Sequence, residues 1–203
     1  MNFAEYYKFC EEDDYFINDK QFSCEKYTNN CFDNIECNNV VFKNIDFSQC
    51  NFYKSTFINV EFIDCNLSNS NCEKSYFKEC SFISTKCMGL NLTDCIFKNC
   101  QINNSSFKYT YFDKSKLENT QAIDSDFTET SFMEVKFKNF KTNKCIFYKN
   151  NFFKTPLKDL NFSNDQFASP ILSDNYMELF KVKINRFQAA DLATLLGVII
   201  TDK

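Results

Sequence analysis

Residues Cys50–Asp94 read CNFYK STFIN VEFID CNLSN SNCEK SYFKE CSFIS TKCMG LNLTD when set out in fives. A period of five is neither the roughly 3.6 of a helix nor the alternation of a strand, so it is read as a tandem repeat before local propensity is weighed. The middle residue of each five, its centre, runs outward as Phe22, Tyr27, Phe32, Cys37, Phe42, Phe47, Phe52, Phe57, Phe62 and Leu67. It continues without a slip to Phe162 and Phe167, and 19 of the 30 centres are Phe. Two residues before each centre sits a smaller apolar or hydroxyl side chain, such as Val40, Ile45, Cys50, Ser55, Val60, Cys65, Ser70, Cys80, Thr85 and Cys95. Both positions face inward. Two residues after the centre, 16 of the 30 repeats carry Asn, Asp or Gly, among them Asn29, Asn44, Asp64, Asn69, Gly89 and Asp94. Asn and Asp tolerate left-handed backbone angles and bond their own turns, so they stand in for glycine in a chain with only two of them. Each five is one short side and one turn.

The repeat resembles that of the pentapeptide-repeat family: a small residue, Asn or Asp, Leu or Phe, then two polar residues. Cys50-Asn51-Phe52, Cys65-Asn66-Leu67, Leu90-Asn91-Leu92 and Leu160-Asn161-Phe162 follow it closely, although Cys, Ser, Thr and Val replace the family's frequent Ala. The resemblance implies an all-β, right-handed quadrilateral β-helix in which four repeats make one square turn. It covers residues 21–169, with 1–20 as an N-terminal capping segment and 170–203 as a final coil, helix and strand.

The capping segment carries Glu11, Glu12, Asp13 and Asp14 among the aromatics Tyr6, Tyr7, Phe9, Tyr15 and Phe16, and holds a net charge of −4 from six acids and two lysines. That equals the charge of the whole chain. The remainder is balanced, and no face of the coil is a strong acidic stripe. Local acidic spots at Glu61 with Asp64, and at Asp124, Asp126 and Glu129, are candidate partner contacts. The unbroken register implies a smooth coil without inserted loops.

The register breaks near Pro170 and resumes shifted by two residues, with Met177 and Val182 at small sites and Leu179 and Ile184 as centres. Asn185 and Gln188 then form a capping box, Gly197 ends a helix, and Ala189, Leu192, Ala193 and Leu196 form an apolar stripe. Val198, Ile199 and Ile200 read as a short strand. The run from Val182 to Leu192 (VKINRFQAADL), with Leu195 to Ile200 (LLGVII), resembles the C-terminal segment of the Qnr and MfpA branch of the family. That resemblance implies a homodimer joined end to end through Phe187, Ala189, Leu192, Ala193, Leu195, Leu196, Val198 and Ile200.

Nine of the twelve cysteines fall on inward positions, where Cys serves as a small hydrophobe; Cys10, Cys24 and Cys31 do not. The chain has no His and no C-x-x-C pair, so no metal or other cofactor is expected. No stretch reaches the length of a membrane span, and the start MNFAEYYKFCEEDD is acidic rather than apolar, which favours a cytoplasmic protein. With no His, no nucleophile elbow and no phosphate-binding glycine loop, an enzyme is not expected. The resemblance to Qnr-type proteins implies a rod of DNA-like width that binds type II topoisomerases, DNA gyrase or topoisomerase IV, and protects them from quinolones without binding nucleic acid itself. The alternatives are an immunity protein against a gyrase-targeting peptide toxin and a generic interaction scaffold.

Overall fold

The protein is seen in a computed structural model that describes residues 1–10 and 16–201; the expected caps Glu11, Glu12, Asp13, Asp14 and Tyr15 lie outside the described residues. Every centre from Phe22 to Phe167 is buried except Phe137 and Thr142. Parallel pairing joins residue i to residue i + 20, as in Cys37↔Phe57 and Val60↔Val40, so four repeats of five close one coil. Extended segments Phe16–Ser23, Glu36–Lys43 and Thr56–Ile63 each cover two adjoining sides, and single bridges such as Asn51↔Asn71 hold the other two.

The same offset stacks the core. Phe57, Phe77 and Phe97 lie nearly flat on one another at centroid distances of 5.0 and 4.6 Å, and Phe62 lies on Phe82 at 5.0 Å. Each buried Phe contributes about 1.5–3 kcal/mol by transfer alone, enough for repetition to offset the ordering of a chain poor in helix. The preference for Ser, Thr and Cys over Ala at the small site also has a cause. Ser75 Oγ donates to the carbonyl of Phe52 at 2.8 Å and accepts from the amide of Ser55 at 3.0 Å, tying one coil to the turn of the coil before it through one buried hydroxyl. Outside, Asn71 and Asn91 each donate to the Asn one coil earlier, at 2.8 and 2.9 Å.

At the corners, φ is positive at every position from Cys24 to Ser169 except Asn164, with Lys, Glu and Tyr accepting the left-handed angle as readily as Asn. The corner is imposed by the ladder above and below it, at a cost Asn reduces but does not decide. Cys24 is itself a corner residue, Cys31 is exposed on a side and Cys10 is buried in the core, which accounts for the three cysteines outside the pattern. At Gly89, φ +67°, a Cβ would come within 2.4 Å of Asn69 Oδ1, so any other residue there would have to turn the Asn69 side chain aside.

Three expectations are corrected. The coil begins one repeat earlier than residue 21, since Ile17 is fully buried and pairs with Cys37. Above it helix α1 (Phe3–Phe9) inserts Phe3 into the open end against Phe22, Tyr27, Phe32, Phe42 and Phe47. The shift of two after Pro170 holds for Leu179, Val182 and Ile184, with Leu157 N bonding Glu178 O and Phe162 N bonding Lys183 O. Met177, however, is 63% exposed. It opens a 3-10 turn, and Glu178 turns inward instead, its carboxylate accepting from the amides of Lys154 and Ser173 and the hydroxyl of Ser173.

The coil is also not smooth. Segments Lys136–Lys138 and Lys141–Asn143 pair only with the coil before them, and no backbone hydrogen bond joins residues 135–144 to 155–164. Pro156 stands where Lys116 and Lys136 use their amides to bond back one coil, and it has no N–H to offer. At the same corner the side-chain sizes are exchanged: Phe140 fills a small site, stacked on Phe137 at 4.9 Å, while Thr142 occupies a centre. Overfilling one inward site and underfilling the next holds the two coils apart. A cavity of about 620 Å³ opens there, with Phe137, Phe140 and Leu160 among its lining.

Candidate interaction surfaces

The C-terminal helix α2 (Arg186–Leu195) is placed by side-chain bonds to backbone. Asn185 Oδ1 accepts from the amides of Phe187 and Gln188, and Gln188 Oε1 accepts from the Asn185 amide at 2.8 Å, the expected capping box. Gln188 Nε2 then reaches under the helix to the carbonyls of Phe162 and Asp165 at 2.8 and 2.7 Å, and Asp191 accepts from the Ser169 amide. At the other end Gly197, at φ +76°, lets its own amide and that of Val198 bond back to Thr194 and Ala193.

This docking divides the expected dimer residues. Leu192 is buried against its own coil, and Leu195 and Ala193 are half-buried, so Leu192 anchors the helix and leaves little surface for another chain. Ala189, Leu192, Ala193 and Leu196 line one groove, but the lower edge of this stripe is used within the chain. Ala189 is exposed, as are Phe187 (71%), Leu196 (67%), Val198, Ile199 (86%) and Ile200. Val198–Ile200 is not a strand in this chain: it pairs with no other segment among the described residues, and a strand exists only as a paired element. An apolar groove of about 290 Å³ runs beside them, between Tyr176, Leu179, Ile184 and the helix residues Ala189, Leu192 and Leu196. Met177, expected inward, and Phe180, which the sequence reading did not name, add exposed apolar surface at the same end; only Phe180 departs from the inward register and could have been noticed by it.

The acidic residues do not form one site. Glu61 and Asp64 are exposed on one coil, three coils from Asp124 and Glu129 in the i + 20 register. Asp126 is neutralised by Lys108 at 3.0 Å. Burial raises its carboxyl, but hydrogen bonds from Thr128 and the Lys108 ammonium outweigh that and hold it below the usual carboxylate range.

A closed parallel coil of five-residue sides, with rings stacked inside and polar ladders outside, defines a tandem-repeat solenoid that offers its faces and ends to partners. Two family profiles, described as "Pentapeptide repeat region" and "Pentapeptide repeats (9 copies)", match residues 73–147 and 38–81, together more than half the chain. The chain belongs to the pentapeptide-repeat family, and its fold is that family's β-helix. No curated protein matches its sequence. Among solved structures it is similar to QnrB1, a plasmid-mediated fluoroquinolone resistance protein, at 18% identity over 92% of this chain and 100% of the other, with a TM-score of 0.44. It is also similar to HetL, a protein involved in heterocyst differentiation regulation from the cyanobacterium Nostoc sp. strain PCC 7120, at 9% identity over 90% and 94%, TM-score 0.41.

Proposed function

We propose that this is a cytoplasmic, non-enzymatic rod of the Qnr and MfpA type that pairs end to end into a homodimer, binds a type II topoisomerase and protects it from quinolones. The observation that carries the proposal is the apolar end at Phe187, Leu196, Val198, Ile199 and Ile200, left exposed by a chain that buries Phe3 among five rings at its opposite end. Contiguous apolar surface of this kind marks an interface. Pairing two copies would give Val198–Ile200 the strand partner it lacks and would double the rod into a twofold object matched to a dimeric enzyme. Resemblance to a duplex would rest on width and symmetry. The charge outside the N-terminal segment is balanced, so binding should survive moderate salt better than that of a polyanion.

The deciding assay is DNA gyrase supercoiling in the presence of ciprofloxacin across a titration of the protein. Protection by the parent, and its loss in Leu196→Asp with Ile199→Asp, is expected. No protection, with no gyrase or topoisomerase IV retained on immobilised protein, would leave the immunity or scaffold readings.

A further inference from the structure

The opening at Pro156 exposes backbone that the rest of the coil conceals. One coil earlier, the carbonyls of Ser115 and Thr120 accept from Lys136 and Lys141, and the amides of Asn119 and Asp124 donate to Lys138 and Asn143. The corresponding groups at the opening, the carbonyls of Val135 and Phe140 and the amides of Asn139 and Lys144, have no backbone partner. Here two adjoining sides of the coil end as a backbone edge, crossed by side-chain bonds from Thr142 to Asn161 and Asp165 and from Asn164 to Asn143, and such an edge is a template for another strand. The cavity beside it has an apolar floor, Phe137 and Phe140, and at about 620 Å³ it has room for side chains. Lys141 and Lys158 stand at its mouth against a single carboxylate, Asp159. Lys136 and Lys144 flank the same edge, exposed and without an ion pair among the described residues, whereas Lys138 is bound to Glu118 at 2.7 Å.

We propose that this opening docks an extended acidic segment of a partner protein. The segment would add a strand along residues 136–144, place one apolar side chain on Phe137 and Phe140, and set its carboxylates against Lys141 and Lys158. Alternating backbone donors and acceptors match a peptide rather than a sugar-phosphate chain, and strand addition at an exposed edge is an established mode of peptide capture. The net charge of −4 opposes nucleic acid while leaving this local basic rim attractive to carboxylates. The site lies on the wall of the coil and does not depend on the dimer or topoisomerase reading.

The probes are fluorescein-labelled, acetylated and amidated peptides of about eight residues, long enough to span 136–144, with Asp and Glu flanking one Val, Leu, Ile or Phe. Saturable anisotropy binding is expected, weakened at least about tenfold by Lys141→Glu with Lys158→Glu. Hydrogen exchange of the parent should slow at Asn139 and Lys144 on adding peptide. If the double variant melts below the parent, the exchange measurement on the unaltered chain decides alone. Failure of every peptide to bind, binding without protection of those amides, or equal competition by a single-stranded oligonucleotide would each overturn the proposal.

Discussion

At the N-terminal end the ring of Phe3 is wholly buried among five aromatic rings, whereas at the C-terminal end Leu196 and Ile199 stand largely in solvent although a helix already covers the coil. Both ends use a capped helix. Phe3 is further fixed by its amide on Glu25, whose carboxylate also accepts from the Tyr27 hydroxyl at 2.5 Å. At the other end Leu192 and Gln188 do the same work inward, and the outer side of the segment remains apolar. A solenoid must satisfy the last coil's backbone and rings at each end, and a polar exterior is what makes a terminus final. The N-terminal end exposes Met1 and Phe9, whereas the C-terminal end exposes Met177, Phe180, Phe187, Leu196 and Val198–Ile200, the larger apolar exterior and the one better suited to a second surface.

Removing the plug should therefore be a matter of stability, and removing the apolar exterior a matter of mass. Phe57→Asp, in the middle of the coil, sets the upper limit: it drives an unpaired carboxylate into a ring stack and should abolish cooperative folding by circular dichroism. Phe3→Ala should cost about 3–5 kcal/mol in urea melts, and a parent-like midpoint would show that the helix merely rests on the coil. Leu192→Asp should loosen the last coil by about 2–4 kcal/mol and lower the mass as well, because the residue anchors the segment that carries the proposed interface. Leu196→Asp with Ile199→Asp should change stability by less than about 0.5 kcal/mol yet convert dimer to monomer in light scattering. An unchanged mass would reduce the C-terminal segment to a second cap.

The smallest effect concerns Asp165, at a small site beneath α2, where it accepts from Thr142 Oγ1 at 2.6 Å and the Cys145 amide at 2.8 Å. Burial raises its carboxyl above the usual range despite those bonds. The folded chain then holds a proton that the unfolded chain releases near pH 3.9 or so, so stability falls as pH rises from there through the folded value. Asp165→Asn should flatten that slope and be neutral or slightly stabilising at pH near 7 in urea melts, with a steeper slope ruling the argument out.

Residues that repeat were legible because each side of the coil answers only to its neighbours. The centres, the small sites, the corners and the capping box of α2 could all be read from spacing, and the shift of two after Pro170 survived at Leu179 and Ile184. The start at Ile17 was hidden because Lys20, at the following small site, lies at the coil's open edge and is exposed. The opening was hidden for a related reason. Pro156 and the exchange of sizes at Phe140 and Thr142 keep the five-residue register intact, and the damage appears only against residues twenty positions away.

By itself, then, the sequence determined a square coil with stacked phenylalanines and a capped terminal helix, because period, side-chain size and turn chemistry are local quantities summed over many equal units. Tertiary structure alone decided where that sum ends. It set Phe3 in one mouth, turned Leu192 inward and Leu196 outward at the other, left Val198–Ile200 without a strand partner, and opened the wall at residue 156. Those outcomes depend on which surfaces meet across coils, and a repeat that is the same in every coil carries no information about the places where its neighbours stop.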